Sequence, residues 1–152
     1  MTVDTLTGYL HRQIPLTTAM GVAVDRFDGI GLRLTAPLAA NSNPHGTGFA
    51  GSQSVLGILA GWTLLFARLQ TLGLTAELVI RDSCFSYRRP VHSDLWAEAS
   101  VSDALFLPFA QELRTGGRPR LTLNATVGDI SGPCGRHEGT FVALPVATKP
   151  LK

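Results

Sequence analysis

Between about Ala50 and Leu72 the chain carries its longest apolar stretch. Leu56, Leu59, Trp62, Phe66 and Leu69 recur there every three or four residues, and Val55, Ile58 and Leu65 widen the apolar surface. That spacing predicts a helix that is apolar nearly all round and therefore buried on most sides, with Gly73 stopping it. Trp62 and Phe66 are assigned to its core stripe. Nearer the N-terminus, Leu6, Tyr9, Leu10 and Ile14 share one side of a shorter helix over Thr5 to Ile14, which Pro15 discourages from continuing. "GVAVDRF" and "GLRLTAPL" alternate apolar and polar residues around Asp28-Gly29, the signature of a hairpin.

After the long helix the period changes to two. "AELVIRDSCFSYRRPV" predicts a long strand ended by Pro90, with Cys84 as a buried strand residue. "LWAEASVS" places Leu95, Ala97, Ala99 and Val101 on one face, and "RLTLNATV" does the same with Leu121, Leu123, Ala125 and Val127. "GTFVAL" predicts a last strand. Between Asp103 and Gly116, "LPFAQELRTGG" predicts a short helix with Pro108 near its first turn. The expected fold is α+β: an antiparallel sheet, one face buried, wrapped around one long central helix.

With 152 residues, 45% hydrophobic and 16% charged, and no repeat or linker-like tract, the chain is expected to form one domain over residues 1–152. Its formal charge is +2 and no run of Lys or Arg exceeds two, so it lacks the basic stripe of a nucleic-acid binder. Cys84 and Cys134 stand fifty positions apart, without a CxxC or a His/Cys cluster. That argues against a metal site or a disulfide framework and for a reduced, cytoplasmic setting. The first fifteen residues lack the basic-then-apolar order of a signal peptide. Thr47 to Ala67 carries no charge, but its Gly, Ser and Gln residues leave only about fourteen mainly apolar positions, against roughly twenty for a membrane span. Gly57 and Gly61 then fit a buried helix that packs closely, and no membrane partner is expected.

One stretch draws attention as chemistry. "NSNPHGTGFAGSQS", Asn41 to Ser54, holds three glycines and no carboxylate, and leads straight into the long helix. Free backbone N–H groups and the positive end of the helix dipole suit an oxyanion, and glycine permits both close approach and positive φ. A tight turn into a buried helix is the plainer alternative.

The Asn-x-x-Gly-Thr-x-Phe-x-Gly entry and the later Tyr-x-x-Pro-Val-x-x-Asp resemble the hotdog-fold thioesterases. More narrowly, the chain resembles the thioesterase-type domain found at the C-terminus of certain bacterial acetyltransferases and also as a free-standing protein. The resembling pieces run in order: "IPLTTAMGV", "APLAANSNPHGTGFAGS", "LAGW", "GLTAELVIRDS" and "YRRPVHSDLWA". The resemblance implies a homodimer with sheets joined edge to edge, which in some cases pairs again into a dimer of dimers. It implies an acyl-CoA or acyl-carrier-protein substrate bound between subunits at the helix N-terminus, and no cofactor.

Matched residue by residue, Asn43 takes the place of the family's asparagine and Gly46 that of its first glycine, while Phe49, Ala50 and Gly51 replace His-Gly-Gly. The Ala50 and Gly51 amides become the oxyanion candidates. The family's acid, about nine residues further on, falls on Ile58, and no Asp or Glu occurs from Gly29 to Ala76. In its place stand His45, as a base or a solvent-exposed loop residue, and Asn43, orienting water or capping its own turn. Ser52 and Ser54 offer hydrogen bonds or helix capping, without the Gly-x-Ser-x-Gly elbow of a nucleophilic serine. Asp82 reaches the site across the dimer or faces solvent, and Asp94 supports a turn. Arg88 and Arg89 suit coenzyme A phosphates or form an exposed strand end. The missing acid leaves a non-catalytic acyl-thioester binding module as an alternative to hydrolysis, with a hydratase or dehydratase behind both.

Overall fold

The computed structural model describes residues 1–146, so the last six residues of the domain expected over 1–152 lie outside it. The elements are α1 (Val3–Gln13), α2 (Leu16–Ala19), β1 (Ala23–Phe27), β2 (Gly31–Ala36), α3 (Ala50–Thr71), β3 (Ala76–Tyr87), β4 (Leu95–Ser100), α4 (Asp103–Arg114), β5 (Arg120–Asp129) and β6 (Gly132–Pro145), with a 3-10 turn at Leu38–Ala40. The strands form one antiparallel sheet in the order β1-β2-β4-β5-β6-β3. β1 and β3 are therefore the edges, and α3 crosses the sheet against β2, β3, β4, β5 and β6. The α+β arrangement expected from the patterning is the one observed.

Leu56, Leu59, Ala60, Leu64 and Leu65 of α3 are buried against inward residues of the strands, among them Leu34, Ala97, Leu123 and Phe141. Gly57 and Gly61 bring the helix close: a Cβ on Gly57 would stand 2.5 Å from His137 Cβ, and one on Gly61 2.8 Å from Phe141 Cε2. α3 is long and apolar enough to cross a membrane, with a window of mean hydropathy 1.3, but 56% of that window is buried inside the fold. It is the core helix.

The far side of α3 is only half buried. There Tyr9 of α1 stacks on Phe66 with ring centroids 4.3 Å apart, and Trp62 stacks on Phe66 at 5.3 Å. Trp62 also donates its indole N–H to Leu78 O at 2.7 Å, so it ties helix to strand rather than filling the centre. At the hairpin between β1 and β2, Asp28 Oδ1 accepts from the amides of Ile30 and Gly31, and Gly29 takes φ 89°, as the Asp-Gly signal requires.

Three expectations are corrected. α4 begins at Asp103, so Pro108 is its sixth residue rather than part of its first turn. Phe106, Phe109, Ala110 and Leu113 form a buried stripe that outweighs the hydrogen bond Pro108 cannot donate. Arg68, 8% exposed, anchors this helix by pairing with Asp103, donating to Val101 O at 2.7 Å and lying over the Phe106 ring. β6 begins at Gly132, seven residues before the predicted strand, because it is held on both sides by β5 and β3.

The third correction is in β3. A bulge between Ile80 and Asp82 inserts Arg81 and reverses the faces beyond it. Cys84 is consequently exposed on the outer face, while Cys134 is fully buried. In the native protein one thiol should therefore react at once with a disulfide reagent and the second only after unfolding. Reaction of both at equal rate would contradict this face assignment.

Candidate active site at the N-terminus of α3

The loop from Asn41 to Phe49 is built around its asparagines. Asn43 Oδ1 accepts from the amides of His45 and Thr47, at 2.9 and 3.1 Å, while its side-chain amide donates to Thr47 Oγ1 at 2.8 Å. The backbone closes the same turn, with Asn43 N–H donating to Thr47 O and Gly46 N–H to Asn43 O, and Gly46 takes φ 74°. Asn43 is thus the organiser of the turn. Asn41, 2% exposed, fastens the loop to its surroundings by donating to Met20 O and Pro37 O, both at 2.8 Å. Gly48 donates to Val91 O at 2.8 Å, and a Cβ there would stand 2.7 Å from Val91 Cβ.

This clamp delivers the start of α3 with unused donors. Phe49 is the N-cap, in extended conformation and without a side-chain cap, and the amides of Ala50, Gly51 and Ser52 find no acceptor among the described residues. They open between two cavities. One, of about 310 Å³, is walled by Leu16, Ala19, Met20, Ala40, Asn41, Phe49, Gly51, Ser52 and Val55. The other, of about 380 Å³, is more polar and is lined by Asn43, Thr47, Gly48, Ala50, Gln53, Tyr87, Arg88, Arg89 and Pro90. Each wall holds a buried carboxamide with an unpartnered oxygen: Asn41 Oδ1 in the first and Gln53 Oε1 in the second. A buried acceptor without a donor is costly, so both oxygens are departures from ordinary packing at the start of α3.

Of the residues expected at the site, Asn43, Phe49, Ala50, Gly51, Ser52, Arg88 and Arg89 line these cavities. The Phe49 ring, 51% exposed, lies over Gly51, where any Cβ would collide with it. Ser54, half-buried, and Gly46 line neither cavity.

His45 is exposed at the outer turn and lines neither cavity. His45→Ala should change any activity by less than about twofold, checked by steady-state kinetics. Asp82 is carried to the outer face by the bulge, opposite Thr140 and 3.6 Å from Arg81 Nε. Arg89 is committed inward, donating to Asp129 Oδ1 at 3.0 Å, Gly132 O at 2.6 Å and Pro133 O at 2.9 Å. Its neighbour Arg88 makes no ion pair among the described residues and is the cation that faces solvent.

Three contributors were not singled out from the sequence. Tyr87 Oη donates to Ala50 O at 2.9 Å and so pins the strand end to the helix start. Gln53, 4% exposed, donates to Gly48 O at 3.1 Å. Its signal was a polar residue on the face of the helix that carries Leu56, Gly57 and Ala60. Asn41 had the weaker signal of standing two residues before Asn43.

The family model described as "Putative thioesterase (yiiD_Cterm)" matches residues 3–145, from the first turn of α1 to the end of β6. The chain belongs to this family. A Shewanella oneidensis protein given the same thioesterase description has a crystal structure that superposes with a TM-score of 0.86 at 28% identity, covering 94% of this chain and 97% of that one. A Chlorobaculum tepidum protein of unknown function gives 0.89 at 22% identity, over 95% and 94%. A thioesterase from Haemophilus influenzae gives 0.78 at 15% identity, over 99% and 96%. The last two carry the hotdog fold alone, and the family match is what makes this a thioesterase-family chain. The loop Asn41–Phe49 and the free amides that follow it lie well inside the matched region.

Proposed function

We propose that this chain hydrolyses an acyl thioester of coenzyme A or of an acyl carrier protein to the free acid and thiol. The observation that carries this reading is the set of unbonded amides at Ala50, Gly51 and Ser52, opening between an apolar cavity and a polar one. A thioester carbonyl drawn to these donors gains most when it becomes an oxyanion, because fixed N–H groups need no reorganisation as charge develops. The apolar cavity suits the acyl chain. The polar cavity, with Arg88 at its mouth, suits the pantetheine arm and a phosphate.

The working unit in this reading is a homodimer. β3 has a partner only on one side, β6, and an unpaired strand of twelve residues is a template for a second copy. Two unbridged cysteines agree with a cytoplasmic setting. A panel of acyl-CoA and acyl-carrier-protein substrates, with thiol release followed in time, tests the reading. Turnover that saturates with one chain-length class is expected. Saturable binding of every member with no release above background would overturn hydrolysis in favour of a binding module.

A further inference from the structure

Among the four histidines of the chain, His137 is the one the fold buries. It sits on β6, 1% exposed, in a slot that two glycines make. Gly57 of α3 lies over its Cβ, and a Cβ on Gly139 would stand 2.7 Å from its Cε1. Its Nε2 is 2.8 Å from Ser83 Oγ. Ser83 is exposed on the helix side of β3, at the sheet's free edge. An aliphatic side chain would fill that slot without needing any partner, so the imidazole is expensive for a merely structural position. A hydroxyl within hydrogen-bond reach of a buried imidazole is the arrangement of a proton-transfer pair.

The bulge at Arg81 leaves β3 regular from Asp82 to Tyr87. Antiparallel pairing of that segment with its copy about Phe85 keeps both helices on one face of the joined sheet and sets Ser83 opposite the partner's Tyr87. Within a protomer, Tyr87 is the residue fastened to the start of α3. Ser83 and Tyr87 lie on the same face of the strand but four residues apart, roughly 13 Å, too far for one water to bridge. Across the pairing that gap closes.

We propose that Ser83 and His137 of one protomer relay the proton from the water that attacks a thioester held at the α3 N-terminus of the other. This rests on the hydrolase reading above and supplies the base that reading lacks. Water bonds to the carbonyl carbon and passes a proton to Ser83 Oγ as the Ser83 proton moves to His137 Nε2. The oxyanion rests on the Ala50 and Gly51 amides. When the C–S bond breaks, His137 returns the proton through Ser83 to the departing thiolate, giving acid and thiol.

Burial holds the His137 pKa below the usual histidine range, with the Glu138 charge acting the other way, so the ring is neutral and able to accept a proton at neutral pH. Arg136 and Glu138 of β6 and Asp82 of β3 point to the outer face, and β5 places Ala125 opposite the ring. α3 has no charged residue from Ala50 to Ala67.

The test uses mixed dimers. Ser83→Ala and His137→Gln should each lower kcat about 100-fold with KM little changed, and the acid limb of the pH–kcat profile should disappear in Ser83→Ala. Ala50→Pro homodimers, which lack an oxyanion amide, should be similarly slow. A purified heterodimer of Ala50→Pro with Ser83→Ala has one site built wholly from intact parts. It should recover about half of the wild-type rate per dimer, because one of two sites works. A heterodimer as slow as its parents would overturn the relay across subunits. Wild-type kcat in Ser83→Ala, or an acyl adduct on Ser83 in intact-mass spectra, would overturn it as well. If the wild-type protein releases no thiol from any substrate, the hydrolase reading itself fails, an outcome distinct from a failed complementation.

Discussion

Ala50→Pro is expected to lower kcat/KM for an acyl-CoA substrate by about two orders of magnitude while leaving the melting temperature within a degree or two of the wild type. Ala50 is the first residue of α3, and its N–H has no partner to lose. Proline is favoured at that position because its fixed φ already suits the helix. The residue before a proline must be extended, and Phe49 is, at φ −62° and ψ 132°. Ala50 is also exposed, so the ring has room, and its carbonyl still accepts from Tyr87 Oη. The substitution therefore deletes one donor and little else. Loss of a single oxyanion donor costs about 3 kcal/mol of transition-state stabilisation. Ala50→Ser, which keeps the amide, should retain most of the activity. Wild-type kcat/KM in Ala50→Pro, measured beside an unchanged melting curve, would remove the Ala50 amide from the mechanism.

The position of those amides was legible in the sequence, and the base was not. A glycine-rich loop that meets a strongly periodic apolar helix identifies a helix N-terminus without any tertiary knowledge. Both signals are local, which is why Ala50 and Gly51 come out at the head of α3. His137 lies in "GPCGRHE", where glycine and proline resemble a turn and no alternation emerges. Its burial comes from strands on both sides of it, a long-range fact that single-chain patterning does not carry.

The bulge in β3 had the opposite effect. Counting by twos from Leu78 and Ile80 puts Asp82 and Cys84 inward and Ser83 outward, and one inserted residue reverses all three. Arginine gave a similar ambiguity. Nothing in "YRRP" distinguishes Arg88, which is exposed, from Arg89, which reaches across to the turn between β5 and β6. The fold follows from periodicity, whereas the roles of polar side chains depend on which face each strand finally presents.

That turn is held by Asp129, and Asp129→Ala should be the most destabilising of the substitutions considered, by about 3 kcal/mol. The carboxylate is 1% exposed and is bonded on both oxygens. Oδ1 accepts from Arg89 Nη2 and Ser131 N–H, and Oδ2 accepts from His92 N–H at 2.9 Å. Burial by itself raises its pKa, but the His92 amide, the Arg89 guanidinium and the Ser131 amide together bring it down to about 2. Alanine would leave two amides and a guanidinium without their acceptor. Arg89 keeps a third of its side chain in water, which holds the cost below that of a fully buried pair. For a chain of this size the expected fall in melting temperature is roughly 6–12 °C. The pH dependence follows with a definite sign. Because the folded pKa lies below the ordinary 3.8, the unfolded chain binds the extra proton as the medium acidifies. Asp129 thus contributes about 2 kcal/mol that is fully present above about pH 4 and is lost as pH falls towards 2. Buried His137 adds a milder slope at higher pH, since its depressed pKa withdraws stability as pH drops below the unfolded value of 6.5. Urea titrations from pH 7 to pH 2.5 should show both slopes in the wild type and only the upper one in Asp129→Asn. The loop Arg88–Val91 that Asp129 fixes also supplies Val91 O to Gly48 N–H, so Asp129→Ala should weaken catalysis as well, through the helix entry it supports. An unchanged pH–stability profile below pH 4 in Asp129→Asn would show that this carboxylate does not anchor the loop.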